Sequence, residues 1–335
     1  MEQQRIAFPD ISPVQPNLRI VASCTHGKRY PVSADLMLRG IPDRPLESRL
    51  ADWKGRLCQS TADPVPAIDL YRGQHWAIVR DLPSVARGSG YHADLWVASA
   101  GYGLVSTDAK IRPYSATFAA SEEDSVWRPT DGDRRTSLRA WWRGLQTIPA
   151  VLGESLRSLT SLATASPEAI FLVIGSPAYI SAMAEDLQGA RGRLVDPQRL
   201  IVITSRDSSL PGWLESHVVP SEAPLGGIVG GALGSLHART ARRILQEAAL
   251  VPLRADALVS HYSKLISELT STAAPVRMKL DDEKVRSFIR KAITDGALSC
   301  TAALRKLRSS GQACEQRRFV SLYAEVAMEA KANAS

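Results

Sequence analysis

The stretch "DLWVASAGYGLVSTDAKIRPYSATF", residues 94–118, opens on a continuous apolar run and changes within a few residues to Gly, Tyr, Ser and Thr. A short run of β-branched and aromatic residues without polar alternation reads as a strand covered on both faces. Four more runs read the same way: "RIVAS" from Arg19, "AIFLVIG" from Ala169, "RLIVITS" from Arg199 and "HVVPS" from His217. Helical periodicity fills the spaces between them, over residues 46–57, 74–85, 137–146, 149–162 and 178–187. Strands alternating with helices predict an α/β fold with a mostly parallel central sheet flanked by helices.

A length of 335 residues is enough for two folding units. The hydrophobic fraction of 44% and charged fraction of 22% are those of an ordinary soluble chain. No apolar run approaches the roughly 18 residues that a membrane helix requires. The N-terminal segment carries Arg5, Pro9 and Asp10 where a signal peptide would have its apolar core, so a cytoplasmic location with no membrane contact is expected. Cys24, Cys58, Cys300 and Cys314 are scattered, without Cys-x-x-Cys or histidines at zinc-ligand spacing. The P-loop and zinc-deaminase patterns are missing too, so neither a cofactor nor a metal is expected.

Toward the C-terminus, "SEAPLGGIVGGALGSLHARTARRILQEAAL" reads as a glycine-rich lead into a basic helix ending near Leu250, followed by a helical stretch over 258–269. "TSTAAP" then reads as a linker. The expected division is a catalytic α/β domain over 1–272 and a small basic helical domain over 276–335. The latter has three helical segments separated at "DG" and "SG", with Asp281, Asp282 and Glu283 at the positive end of the first. The net charge of +7 is concentrated here. Arg305, Lys306 and Arg308 on one helix and Arg317 and Arg318 on the next form either a solvated face or a nucleic-acid-binding surface, and their concentration favours the second.

Ligands of open α/β sheets gather where strands end and loops converge. "CTHGKRY", "AGYGLVSTD", "GSPAY" and "TSRDS" follow the first four strands, and all are polar. "GYGLVS" is close to a dinucleotide fingerprint, but no helix begins inside it and Pro113 follows. The expected pocket comprises Cys24, Thr25, Ser99, Gly101, Tyr102, Gly103, Tyr114, Thr117, Phe118 and Ser176. Its glycines would admit a flat ligand, Tyr102 or Tyr114 would stack on it, and Ser99 and Thr117 would read its polar edge. The alternative is that both tyrosines cap the core. Lys28 suits a phosphate or carbonyl, and Cys24 is a packing thiol or a nucleophile. Asp124 suits a general base, a stabiliser of a sugar cation, or a helix cap. His237, Arg239, Arg242 and Arg243, at the start of the basic helix, suit phosphate.

"VASCTHGKRY", "DLYRGQHW" and "LWVASAGYGLVSTDAKIRPYSATF" resemble bacterial relatives of the peroxide-stress-response DNA-binding proteins, which share a strand ending in Ser-Ala-x-Tyr-Gly-Leu followed by Pro-Tyr. The likeness covers about the first third of the chain. It implies a uracil-DNA-glycosylase-like α/β fold and kinship with nucleobase-exchanging enzymes. Overall resemblance extends to anti-phage DNA glycosylases that remove glucosylated cytosines, although Gly-Gln-Asp-Pro-Tyr-His and His-Pro-Ser-Pro are absent. The resulting expectation is a monofunctional glycosylase that flips a modified base from double-stranded phage DNA, with Asp124 and Lys28 catalytic and no obligate protein partner. The alternatives are a non-catalytic DNA-binding stress or defence protein and a transglycosylase-like enzyme that exchanges nucleobases.

Overall fold

A computed structural model describes residues 15–148, 157–271, 278–295 and 299–332. The chain divides into two compact units, Met1–Thr270 and Ser271–Ser335. Residues 272–275 of the expected linker, and 149–156 of one expected helix, lie outside the described residues; the rest of that helix is found as Leu159–Ala165.

In the first unit the strands are β1 (Asn17–Ser23), β2 (Val65–Pro66), β3 (His92–Ser99), β4 (Gly103–Ser106), β5 (Lys110–Ile111), β6 (Ile170–Ile174), β7 (Leu200–Thr204) and β8 (Val218–Pro220). Six of them form one sheet in the order β4-β3-β1-β6-β7-β8, parallel throughout except for the β3–β4 pair. The short strands β2 and β5 pair separately. All five strands expected from the sequence are present. Every residue of β6 and β7 is buried, which is why their sequences carry no polar alternation.

The helices are α1 (Leu46–Gln59), α2 (Ala67–Leu70), α3 (Gln74–Gly88), α4 (Arg134–Leu145), α5 (Leu159–Ala165), α6 (Pro177–Ala182), α7 (Ala184–Arg191), α8 (Gly226–Val229), α9 (Leu236–Gln246) and α10 (Ala255–Ser271). Helices α3 and α9 pack together and lie on the sheet, while α1, α4, α5, α6 and α7 pack among themselves. Two readings need correction. The expected helix over 178–187 is broken at Met183, where ψ of 0° ends α6 before α7 begins. The polar loop expected after "DLWVAS" is a tight hairpin, because Gly103 takes a φ of 79° and returns the chain as the antiparallel edge strand β4. No described helix is long and apolar enough to cross a membrane.

The second unit contains β9 (Met278–Lys279), α11 (Asp282–Thr294), α12 (Cys300–Ser309), β10 (Gln312–Ala313) and α13 (Gln316–Ala332), with β9 parallel to β10. Val285, Ile289, Leu304, Leu307, Phe319, Leu322 and Val326 form its own core. The Asp281 carboxylate accepts from the Lys284 N–H at 2.9 Å and so caps α11, as the run of acids at this position implied.

Candidate functional site

The turn after β1 is stitched to the segment that leads into α3. The Arg72 N–H donates to the Gly27 carbonyl (3.0 Å), the Arg29 N–H to the Leu70 carbonyl (2.8 Å), and the Thr25 hydroxyl to the Arg72 carbonyl (3.0 Å). These bonds hold Lys28 beside Tyr71. Its ammonium donates to the carbonyls of Thr25 (2.8 Å) and His26 (3.2 Å) and lies 4.6 Å from the Tyr114 ring centroid and 5.4 Å from that of Tyr71. Two carbonyls and two ring faces are the surroundings of a cation. Burial lowers the Lys28 pKa, while the charges of Cys24 and Asp124 oppose that shift.

Beneath Lys28 is a connected group of hydroxyls around one thiol. The Tyr114 hydroxyl is 2.7 Å from the Ser99 Oγ, 3.2 Å from the Tyr71 hydroxyl and 3.3 Å from the Cys24 Sγ. On the other side the Tyr179 hydroxyl approaches the same sulfur at 3.1 Å and hydrogen-bonds Thr117. Burial, and then the charge of Cys24, push the phenols of Tyr71, Tyr114 and Tyr179 well above their ordinary pKa, so they remain protonated donors. Cys24, Thr117 and Tyr179 each keep 8% of their surface open, and Thr25 and Lys28 beside them are half-buried. Phe118 packs edge-on against Tyr179 at 4.9 Å. The loops after β1 and β3 thus bring together Cys24, Thr25, Lys28, Ser99, Tyr114, Thr117 and Phe118, of which Ser99, Tyr114 and Phe118 are fully buried, so Ser99 does not face a ligand edge and Tyr114 offers no open stacking face. Ser176 stands at the start of α6 without a side-chain hydrogen bond to this group among the described residues. Tyr71 and Tyr179 were not among the expected site residues, although "DLYRGQHW" and "GSPAY" contain them.

The rest of the expected pocket is filled. A Cβ on Gly101 would lie 2.5 Å from the Tyr114 ring and 3.1 Å from Trp53, so the glycine makes room for an aromatic ring of the chain itself and not for a ligand. The Trp53 and Trp141 indoles donate to the carbonyls of Gly101 and Ala100, each at 2.8 Å. Tyr102 is buried, its hydroxyl bonded to the Arg112 backbone and its ring edge-on to Tyr114 at 5.2 Å. Gly101, Tyr102 and Gly103 therefore belong to the core. Among the surface clefts, one of about 700 Å³ lies at the end of β7 between Arg206, Asp207 and Glu215, and another of about 590 Å³ runs between the starts of α1 and α4. Neither includes the expected pocket residues.

Asp124 also takes a different place. Its carboxylate is buried and accepts from the Arg39 N–H (2.8 Å) and the Ser115 hydroxyl (2.7 Å), with the Arg39 guanidinium at 3.3 Å. Bound by these donors, it clamps the segment around Arg39 to the loop around Ser115 rather than facing a water. Its charge still reaches Lys28.

The basic start of α9 is not an assembled anion grip. Arg242 pairs with Asp81 (3.0 Å) and Arg243 with Glu247 (2.7 Å). Arg239 donates to the Ser235 hydroxyl (3.0 Å) and lies over Gly231, where a Cβ would meet its Cζ at 2.1 Å. His237 is largely buried, and desolvation followed by repulsion from His75 lowers its pKa to about 4, so it is neutral at pH 7. In the second unit Arg305, Lys306 and Arg317 are exposed, whereas Arg318 pairs with Asp282 and Arg308 braces the Cys314 carbonyl at 3.4 Å. Among the described residues no group of three or more His, Cys, Asp and Glu side chains is placed to hold a metal. No family model matches this chain, and neither a curated protein nor a solved structure does.

Proposed function

We propose that the protein is a DNA N-glycosylase acting on a modified base, with its reaction centre at Lys28 and Cys24. The observation that carries this reading is the Lys28 ammonium held over the Tyr114 ring beside a thiol and protonated phenols. Hydrolysis breaks the bond from the sugar C1′ to the base nitrogen, the electron pair and a proton going to the base while water adds its oxygen to C1′ and gives up a proton, so negative charge develops on the base and positive charge on the sugar on the way. A fixed cation and hydroxyl donors at a sheet edge stabilise the first of these, because they need no reorganisation as charge develops. Lys28 is therefore the leaving-group stabiliser, with Thr25 and Thr117 at the rim to contact the base edge. Asp124 becomes a positioning residue whose charge, after that of Cys24, opposes the lowering of the Lys28 pKa by burial and whose hydrogen bonds hold the loop bearing Thr117.

The mostly parallel sheet is compatible with the uracil-DNA-glycosylase-like arrangement implied by the motifs of the first third, and the basic second unit suits a polyanionic substrate. The test is incubation of the purified chain with unmodified duplex and with phage DNA carrying glucosylated cytosine, assaying free base and abasic sites. Base release from the modified DNA alone is expected. DNA binding without base release from either would leave a binding protein.

A further inference from the structure

Most of the described cations on α11 are paired, with the exposed Lys291 the exception, whereas those around the α12–α13 turn are mostly not. On α11, Lys284 pairs with Asp281 (3.1 Å), Arg286 with Glu325 (3.0 Å) and Arg290 with Glu283 (3.1 Å), and on α13 Arg318 pairs with Asp282. Arg305 and Lys306 in α12, and Arg317 at the start of α13, are exposed and make no ion pair among the described residues. None of the three has an acid three or four residues away along its helix. They flank the turn that Gly311 makes with a φ of 77° between α12 and α13.

Helix stability does not account for this set. Lys306 lies near the negative end of α12, where a cation is favoured, but Arg317 stands in the first turn of α13, where the helix dipole opposes it. Arg317 thus gains nothing from its own helix there, and with Arg305 and Lys306 across the turn it adds to a local positive charge. We infer that the α12–α13 turn, through Arg305, Lys306 and Arg317, is the surface that contacts the phosphodiester backbone of DNA, while the α11 face with its paired cations does not. Lysine and arginine side chains are point or fork donors suited to phosphate oxygens, and the contact inferred is with the backbone rather than with base edges. The inference rests on the nucleic-acid half of the proposed function and not on its bond-breaking step.

Two charge-matched variants of the full chain test it: Arg305→Gln/Lys306→Gln/Arg317→Gln, and Arg286→Gln/Arg290→Gln/Arg318→Gln. Binding to a fluorescein-labelled duplex of arbitrary sequence is followed across salt concentration, with circular dichroism as the check on folding. Each lost phosphate contact removes about 0.9 from the slope of log K against log salt, so the first variant loses about 2 to 3 and the second keeps the wild-type slope. Equal slopes in the two variants would overturn the inference. Tighter retention on phosphatidylserine vesicles than on duplex at the same ionic strength would also overturn it, in favour of a membrane surface. Absence of base release with the slope difference intact sinks only the glycosylase reading.

Discussion

Two turns leave neighbouring parallel strands at the same edge of the sheet. The one after β3 runs through Ala100, Gly101 and Tyr102, and the one after β1 through Thr25, His26 and Gly27. In sequence the first is the better pocket, richer in glycine and followed by tyrosines. In the fold it is closed by Trp53, Trp141 and Tyr114, which take up its carbonyls and the space beside its glycine. The second has its carbonyls satisfied by a lysine ammonium and keeps that ammonium at the rim. Small residues therefore mark close approach by something, and the partner can be the chain's own aromatic rings as readily as a ligand.

The difference can be broken by substitution. Trp53→Ala should destabilise the first unit by about 3 to 5 kcal/mol, since it removes a buried indole and leaves the Gly101 carbonyl without its donor. Urea unfolding measures this, and a loss under 1 kcal/mol would reopen the β3 turn as a ligand site. Lys28→Gln should lower single-turnover base release by about 10²- to 10³-fold, the cost of one preorganised charge stabiliser, with a smaller stability loss of about 1 to 3 kcal/mol because the Thr25 and His26 carbonyls lose a charged donor. Near-native release would remove Lys28 from the chemistry.

At the start of α9, His237 is largely buried and neutral at pH 7. The unfolded imidazole protonates near pH 6.5 and the folded one only near 4. Its contribution to stability is therefore complete above pH 6.5 and is lost as pH falls toward 4, a drop on the order of 3 kcal/mol across the window. In His237→Phe that part of the pH dependence should disappear from denaturation curves. If the variant loses stability over the same window as wild type, the burial of His237 is not its source. The smallest effect is Gly101→Ala, at about 1 to 3 kcal/mol of overpacking against Tyr114, read as a lowered melting temperature with base release retained at temperatures where the variant is folded.

Much of the fold was legible because burial leaves a local trace. Strands β6 and β7 are covered on both faces, so each is apolar at every position, and α3 and α9 show the 3.6-residue period of helices lying on a sheet. Strand β4 was missed because four residues after a tight turn carry too little periodicity, and the break at Met183 because nothing in "AYISAMAEDL" interrupts the helical pattern. The cluster around Lys28 was half legible. Cys24, Lys28, Ser99, Tyr114 and Thr117 could be named from the loops after the strands, but the clamp made by Asp124 could not, because its partner Arg39 is 85 residues away.

The sequence by itself determined the alternation of strands and helices, the side of the sheet where polar loops gather and the basic character of the second unit, because each follows from local periodicity or from summed charge. Only the tertiary structure decided which of those loops is open, which of the cations is already paired and which carboxylate is engaged in holding the chain together. Those outcomes depend on contacts between residues distant in sequence, where a hydrogen bond of 2.8 Å from Trp53 or an ion pair from Asp282 consumes a group that in isolation had the chemistry to bind a ligand.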